Sequence, residues 1–295
     1  MRYDLRMTYQ KSNSLLRSPA SLLTALWLTL PSPTVIAEEL NERGIAPINA
    51  SPPNSTDSEN KESRVVVMGI KGHISKNLLK KIKESISLVE NDPLPAGFII
   101  FLDSGGGDGV AAMEIGRLLR KAKAHIFVTG KCASACVFVL ASGVVRQFPA
   151  LSIGIHQGKL TISNNDAKVL NEIDPESNPR YQKILEKFET NAKTYLSEMK
   201  ISPEFFEAMQ KIPPKEIHWM DDTELTTMNL KGFDEDYLES RETILRLRSA
   251  KLQIEREDLI TRTNEVIRNC INLKDNHQKF VTCYKNTLFQ KYPLF

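Results

Sequence analysis

The sequence lacks the features that mark several common classes of binding protein. Its 39 basic and 36 acidic residues leave a net charge of only +3. No basic stretch is interleaved with aromatic side chains, so nucleic-acid binding is not expected. None of the four cysteines belongs to a CxxC pair, and no histidine lies at zinc-ligand spacing from them. We therefore expect no metal and no cofactor.

Residues 1–37 have the layout of a secretory signal peptide. A basic start precedes the apolar run of residues 21–30, and small residues, Val35 and Ala37, stand at the minus-three and minus-one positions of a cut after Ala37. The apolar run is too short for a comfortable membrane span. These features favour cleavage and export, to the periplasm of a bacterium, over an uncleaved N-terminal anchor in the inner membrane.

The rest of the chain divides into three parts by composition. Residues 38–63 are polar and rich in proline, serine and asparagine, which predicts a disordered linker. Residues 64–235 alternate short apolar strands with amphipathic helices, which predicts parallel βαβ units. Residues 236–295 contain no glycine and are predicted to be a mostly helical extension. Within this extension, residues 242–249 are open to either a helix or a strand.

Apolar runs and apolar spacing locate the elements of the central domain. Continuous apolar runs predict buried strands at 64–70, 96–103, 125–130 and 151–157, with a brief strand at 216–220. Apolar residues at helical spacing predict helices at 75–91, 111–124, 180–199 and 202–210, and a capped turn at 221–230. Ser75 and Asp108 are expected to cap the first two helices.

Three pieces of this domain have chemistry that fits together. Ser134 follows a strand and precedes an apolar helix, where free N–H groups and the helix dipole suit a nucleophile whose adduct carries an oxyanion. The glycines of "DSGGGDG" (103–109) can turn further N–H groups toward a ligand. His156 ends a strand, and sites on parallel sheets lie at the C-terminal ends of strands. The alternative is a helix-capping serine and a structural histidine.

These pieces together resemble the proteolytic subunit of Clp protease, within the ClpP/crotonase superfamily. "VVVMGIKGHIS" is similar to the family's first strand and G-x-I loop, and "FLDSGGGDGVAAMEIGRLL" to its glycine loop and following helix. "GKCASACVFVLASG" is similar to the nucleophile helix, "SIGIHQ" to the histidine strand, and "SPEFFEAMQKIPPKEIHWMDDTELTTMNL" to the last helix and the segment after it. The resemblance covers residues 64–232. It implies an α/β fold, a ClpP/crotonase-like spiral of parallel βαβ units, here with an added helical C-terminal tail.

The resemblance also implies a role for each site residue. Ser134 would be the nucleophile and His156 the general base. The backbone N–H of Ala135, with that of Gly106 or Gly107, would form the oxyanion hole.

This sequence differs from the family's catalytic triad at the third residue. Counted along the chain, the family's aspartate falls on Ile217, which cannot orient an imidazole. Glu216, Asp221 and Asp222 are the candidates to replace it. Without a replacement, the site would run as a Ser–His dyad.

The function that the resemblance implies is a serine endopeptidase that hydrolyses peptides or proteins through an acyl-enzyme. Such a protein is expected to be a homo-oligomer, and an exported compartment without ATP gives no basis for an ATPase partner. The signal, the cysteines and the tail look most like an exported, single-chain branch of the family. Two alternatives remain open. One is a crotonase-type enzyme for acyl-CoA thioesters, against which export argues, and the other is a catalytically inactive binding or assembly protein.

The four cysteines form two pairs along the chain. Cys132 and Cys136 lie near helical spacing on either side of Ser134, and they are either two buried thiols, which we favour, or a local disulfide. Cys270 and Cys283 enclose a polar centre between apolar flanks, which predicts two helices joined by a turn and a disulfide. Two free surface thiols are the alternative for this second pair.

Overall fold

The computed structural model describes residues 7–10, 64–90, 96–163, 169–240 and 256–289. The predicted linker, all of the predicted signal peptide except residues 7–10, and the ambiguous segment 242–249 lie outside these residues. The described chain forms an eight-stranded, mostly parallel sheet with helices packed on it, and a separate two-stranded hairpin. This is the α/β fold that the sequence predicts.

The elements are numbered in chain order. The strands are β1 (Met7–Gln10), β2 (Arg64–Ile74), β3 (Ala96–Gly107), β4 (His125–Ala133), β5 (Val145–Gln147), β6 (Ile153–Ile155), β7 (Leu160–Ser163), β8 (Val169–Ile173), β9 (His218–Trp219) and β10 (Gly232–Phe233). The helices are α1 (Lys76–Glu90), α2 (Gly109–Lys121), α3 (Cys136–Ala141), α4 (Pro179–Glu198), α5 (Pro203–Lys211), α6 (Asp222–Thr227), α7 (235–240), α8 (Arg256–Cys270) and α9 (His277–Phe289).

Strands β2 to β5 form the parallel centre of the sheet. β2 pairs with β3, β3 with β4, and β4 with β5, in each case in parallel. The apolar residues of β3 and β4 are almost wholly buried, which explains why these strands appear as unbroken apolar runs: Phe98, Ile99, Ile100, Phe101, Leu102, Ile126, Phe127 and Val128. The two helix caps predicted beside these strands are confirmed. Leu78 N donates to Ser75 Oγ at 3.2 Å, and Asp108 accepts from the first backbone N–H groups of α2.

A change of partner along β4 creates the place where the site lies. The first residues of β4, His125–Phe127, pair with β5. Its last two residues, Cys132 and Ala133, pair instead with β6, which in turn pairs antiparallel with β9. The strand ends of β3, β4 and β6 are therefore brought together beside the turn that leads into α3.

Several strands were not predicted from the sequence. β5 contains a buried arginine, Arg146, whose guanidinium donates to the carbonyls of Ala141, Gly143 and Asn229. Burial lowers the pKa of Arg146 to about 10, so it remains a cation at neutral pH. A charge in the middle of a short strand hides its apolar pattern. The hairpin β7–β8 is missing from the prediction for another reason, because its strands are short and most residues of β8 are exposed, so no buried apolar run marks them.

The described parts of the C-terminal extension are helical, as predicted, and α9 packs on the sheet. The Phe280 ring of α9 contacts Phe101 of β3 and Phe127 of β4, with centroids 4.6 Å and 5.9 Å away. A disulfide joins Cys270 at the end of α8 to Cys283 of α9, with an S–S distance of 2.02 Å. This is the pairing that the sequence predicts. Among the described helices, none has the length and apolar character needed to span a membrane.

Candidate active site

Ser134 occupies a sharp turn between β4 and α3. Its φ of +57° lies in the left-handed region, which is uncommon for a residue other than glycine. Its backbone N–H donates to Gly154 O at 3.0 Å, and its carbonyl accepts from Val137 N at 3.1 Å. Ala135, not Ser134, holds the N-cap position of α3, and no side chain caps that helix. The structure therefore gives Ser134 a strained turn rather than the role of a helix cap.

The Ser134 hydroxyl is available for chemistry. Its side chain is partly exposed, and within the described part of the chain no group forms a hydrogen bond with its Oγ. The residues on either side are alanines, which leave room for a substrate to approach. Within the described residues, the Ser134 hydroxyl therefore contributes no structural hydrogen bond.

His156 follows β6 directly and lies near the same turn. The residue is 8% exposed. Its Nδ1 lies 2.6 Å from the carbonyl oxygen of Gln157, and because a carbonyl can only accept, Nδ1 carries the proton. The neutral ring therefore presents an unprotonated Nε2. No hydrogen bond between His156 and Ser134 is formed among the described residues, and contacts of this kind often tighten only when substrate binds.

The surroundings of His156 favour its neutral form. Burial lowers its pKa below the ordinary value of 6.5, and the nearby charge of Lys159 lowers it further, while the hydrogen bond to Gln157 acts in the opposite direction. An imidazole that is neutral at pH 7 is ready to accept a proton.

Gln157 is held in place by two further hydrogen bonds. Its backbone N–H donates to Ile212 O at 2.9 Å, and its side-chain Nε2 donates to Gln210 O at 2.5 Å. Both acceptors lie at the C-terminal end of α5. The carbonyl that accepts the hydrogen bond from His156 Nδ1 thus belongs to a residue that is held through both its backbone and its side chain. Sequence reasoning missed this role of Gln157.

The glycine loop at the end of β3 lies directly against the Ser134 turn. Gly106 has a φ of +99°, and a Cβ added to it would lie 2.7 Å from Ser134 Cβ and 3.0 Å from Ala135 N. The Gly106 N–H donates to Ser104 Oγ at 3.1 Å, and that hydroxyl donates to Gly72 O at 2.5 Å. Gly106 is therefore a spacer whose N–H is already engaged. Of the two predicted loop donors, Gly107 is left as the candidate.

The structure also places Ile217 and the three acidic residues that were candidates for the third position. Asp221 caps α6, where it forms a capping box with Glu224. Asp222 forms an ion pair with Lys231 at 2.8 Å. Glu216 is exposed and, like the other two, forms no hydrogen bond with His156 among the described residues.

Ile217 lies where the family's aspartate was expected. The antiparallel register pairs Ile155 with His218, so the next step places Ile217 opposite His156. A Cβ added to Gly154 would lie 2.7 Å from Ile217 Cγ2, which puts this side chain over the end of β6. The residue opposite His156 is thus an isoleucine, which cannot accept a hydrogen bond from the imidazole.

The cysteines on either side of Ser134 are bonded to each other, so the favoured prediction of two buried thiols is wrong. The Sγ atoms of Cys132 and Cys136 are 2.09 Å apart, and both residues are fully buried. The prediction assumed helical spacing, but Cys132 belongs to β4 and only Cys136 belongs to α3. The turn between them brings their Cα atoms to 5.2 Å, within the usual range for a disulfide.

The fold defines an α/β protein of parallel βαβ units, with glycine, serine and histidine segments meeting at the strand ends. A family model for Clp protease matches residues 54–201, half of the chain. The chain therefore belongs to the Clp protease family. Comparison with curated proteins gives no match.

One solved structure that this chain matches is a mutant of 1510-N, a membrane-bound stomatin-specific protease. It has 19% sequence identity and a TM-score of 0.41, covering 60% of this chain and 83% of that one. At this TM-score the match supports no further conclusion about this chain. Among the described residues, no cluster of histidine, cysteine, aspartate and glutamate is arranged to hold a metal ion.

Proposed function

We propose that this chain is a serine peptidase in which Ser134 is the nucleophile and His156 the general base. The observation that carries the proposal is the left-handed backbone of Ser134, which holds an unengaged hydroxyl between the glycine loop and the end of β6. Strain of this kind persists where the surrounding structure imposes it, and such positions concentrate at functional sites. Membership of the Clp protease family supports the same activity.

The proposed reaction follows from the positions of the proton donors and acceptors. Ser134 Oγ attacks the peptide carbonyl while His156 Nε2 takes its proton. The backbone N–H groups of Ala135 and Gly107 stabilise the oxyanion. His156 then gives the proton to the leaving amine, and a water molecule, activated by the same imidazole, releases the acyl group from Ser134.

The Gln157 carbonyl takes the place of the missing carboxylate. By accepting from Nδ1, it fixes the tautomer and orientation that leave Nε2 free. A carbonyl is neutral, so it stabilises the imidazolium of the transition state less than an aspartate would. The site is therefore a Ser–His dyad with a backbone acceptor, expected to be slower than a full triad but competent.

Labelling with a fluorophosphonate, followed by intact-mass and peptide mass spectrometry, tests this proposal. We expect one adduct, on Ser134, that is lost in Ser134→Ala and in His156→Ala. Each variant should lower peptidase activity by roughly 10³-fold or more, and the double variant by no more than either one, because the two residues act as a unit. Ser197→Ala, on the exposed side of α4, is the matched control.

A second candidate function has one observation in its favour. Ile217 stands in place of a carboxylate, as it would in a catalytically inactive binding or assembly protein. The absence of both an adduct and peptidase activity in the intact protein would favour that function. We propose peptides or proteins as substrates, a homo-oligomeric assembly and an exported location, in keeping with two disulfides, which form in oxidising compartments.

A further inference from the structure

The Cys132–Cys136 disulfide closes a five-residue ring, "CASAC", with Ser134 at its centre. Cys132 lies near the end of β4, and Cys136 is the first residue of α3. The bond therefore ties the strand before the nucleophile to the helix after it. Since neither sulfur is a free thiol, neither can itself be a nucleophile.

The turn inside this ring needs support from outside itself. Ser134 has a left-handed φ, which alanine and serine adopt only when their surroundings impose it. α3 spans only six residues and has no side-chain cap, so it cannot hold the turn by its own stability. On the side of β4, two hydrogen bonds hold the turn to β6 and the residue before it: Cys132 N donates to Ser152 O, and Ser134 N donates to Gly154 O. On the side of α3, the disulfide links the first residue of the helix covalently to β4.

The burial of the two sulfurs separates this bond from an exposed regulatory disulfide. Both residues are fully buried within the hydrophobic core. A small thiol in solvent has no direct access to them in the folded chain. The state of this bond is thus set when the chain folds and is kept afterwards.

We infer that the Cys132–Cys136 disulfide is a positioning element for Ser134, required to hold its hydroxyl where His156 can activate it. This inference rests on the proposed peptidase function. Loss of the bond should leave a folded protein in which Ser134 reacts slowly. A displacement of about 1 Å at a reacting group costs roughly 10²-fold in rate.

The test compares two disulfide-deficient variants by the kinetics of fluorophosphonate labelling. Cys132→Ala/Cys136→Ala removes the bond around Ser134, and Cys270→Ala/Cys283→Ala removes the other disulfide, which joins α8 to α9. We expect the first variant to lose roughly 10²-fold in the maximal labelling rate. The second should keep the rate of the intact protein.

A pH profile distinguishes positioning from general stability. If Ser134 is displaced while His156 is intact, the pH of the inflection should stay the same and only the labelling rate at the plateau should fall. A purely structural role would lower the thermal midpoint and leave the labelling rate of the folded fraction unchanged, which would overturn the inference. If Cys132→Ala/Cys136→Ala does not fold, Cys132→Val/Cys136→Ala, which refills the apolar site, takes its place in the same assay.

The outcome for the intact protein separates the two proposals. The positioning role alone would be refuted if the intact protein labels on Ser134 and the folded variant without the Cys132–Cys136 bond labels equally fast. An intact, oxidised protein that does not label at all would refute the proposed function, and the positioning role with it.

Discussion

The neighbouring glycines 105 and 106 offer a sharp test of how the site is assembled. In Gly106→Ala the new Cβ would lie 2.7 Å from Ser134 Cβ, 2.8 Å from Ala133 O and 3.0 Å from Ala135 N. Two of these three atoms belong to the backbone, so no side-chain rotation can relieve the clash. In Gly105→Ala the new Cβ would meet nothing within 4 Å, and Gly105 has no left-handed φ.

The expected effect of Gly106→Ala follows from these contacts. Moving the closest contact from 2.7 Å to the 3.4 Å of ordinary van der Waals contact shifts the Ser134 turn or the glycine loop by about 0.7 Å. Such a shift should lower the labelling and peptidase rates by on the order of 10²-fold. An alanine at a φ of +99° should also lower the free energy of unfolding by roughly 1–3 kcal/mol.

The assay is the fluorophosphonate labelling rate of the two alanine variants, beside their urea unfolding curves. Gly105→Ala should differ from the intact protein by less than about twofold in rate and about 0.5 kcal/mol in stability, as for ordinary surface substitutions. Equal labelling rates in folded Gly105→Ala and Gly106→Ala would refute the arrangement of the loop against the nucleophile turn.

Four further outcomes are expected. The labelling rate should fall with decreasing pH and inflect below 6.5, because burial lowers the pKa of His156 and only the neutral ring accepts a proton; an inflection above 6.5 would contradict this. Ile217→Asp should not raise the rate, since a carboxylate at position 217 would first have to displace the Gln157 carbonyl from Nδ1, and a clear gain over Ile217→Asn would show that a carboxylate was needed. Cys270→Ala/Cys283→Ala should lower the free energy of unfolding by roughly 3 kcal/mol in urea titration, from the entropy of the opened loop. N-terminal sequencing of the exported protein should begin near Glu38, whereas a retained Met1 in the membrane fraction would indicate an anchor.

The centre of the fold could be predicted because its strands carry one uniform signal. β3 and β4 are buried on both faces, so their sequences are unbroken apolar runs. β5 could not be found in this way, because Arg146 lies at its centre and its guanidinium donates to one nearby carbonyl, Gly143 O, and one distant carbonyl, Asn229 O. The two cysteines of the Ser134 turn were assigned the wrong state because the boundary between β4 and α3 falls between them.

The parts of the site formed by side chains could be predicted from the sequence. A serine, a histidine and a glycine loop in a fixed order point to a nucleophile, a base and oxyanion donors. The acceptor for Nδ1 was not predictable, because every residue has a backbone carbonyl and no residue type at position 157 signals its use. The engaged N–H of Gly106 was hidden for the same reason, since it depends on where the Ser104 hydroxyl points.

The region that the family model matches lacks several residues that hold the candidate site and the sheet in place. It ends at residue 201, before α5 and before the C-terminal helices. A fragment cut there would keep the glycine loop, the serine and the histidine, yet it would lose the two carbonyls that anchor Gln157. It would also turn Phe101 and Phe127 toward water where Phe280 now covers them. A fragment limited to the matched region would therefore keep the residues of the proposed site while losing contacts that hold them in place.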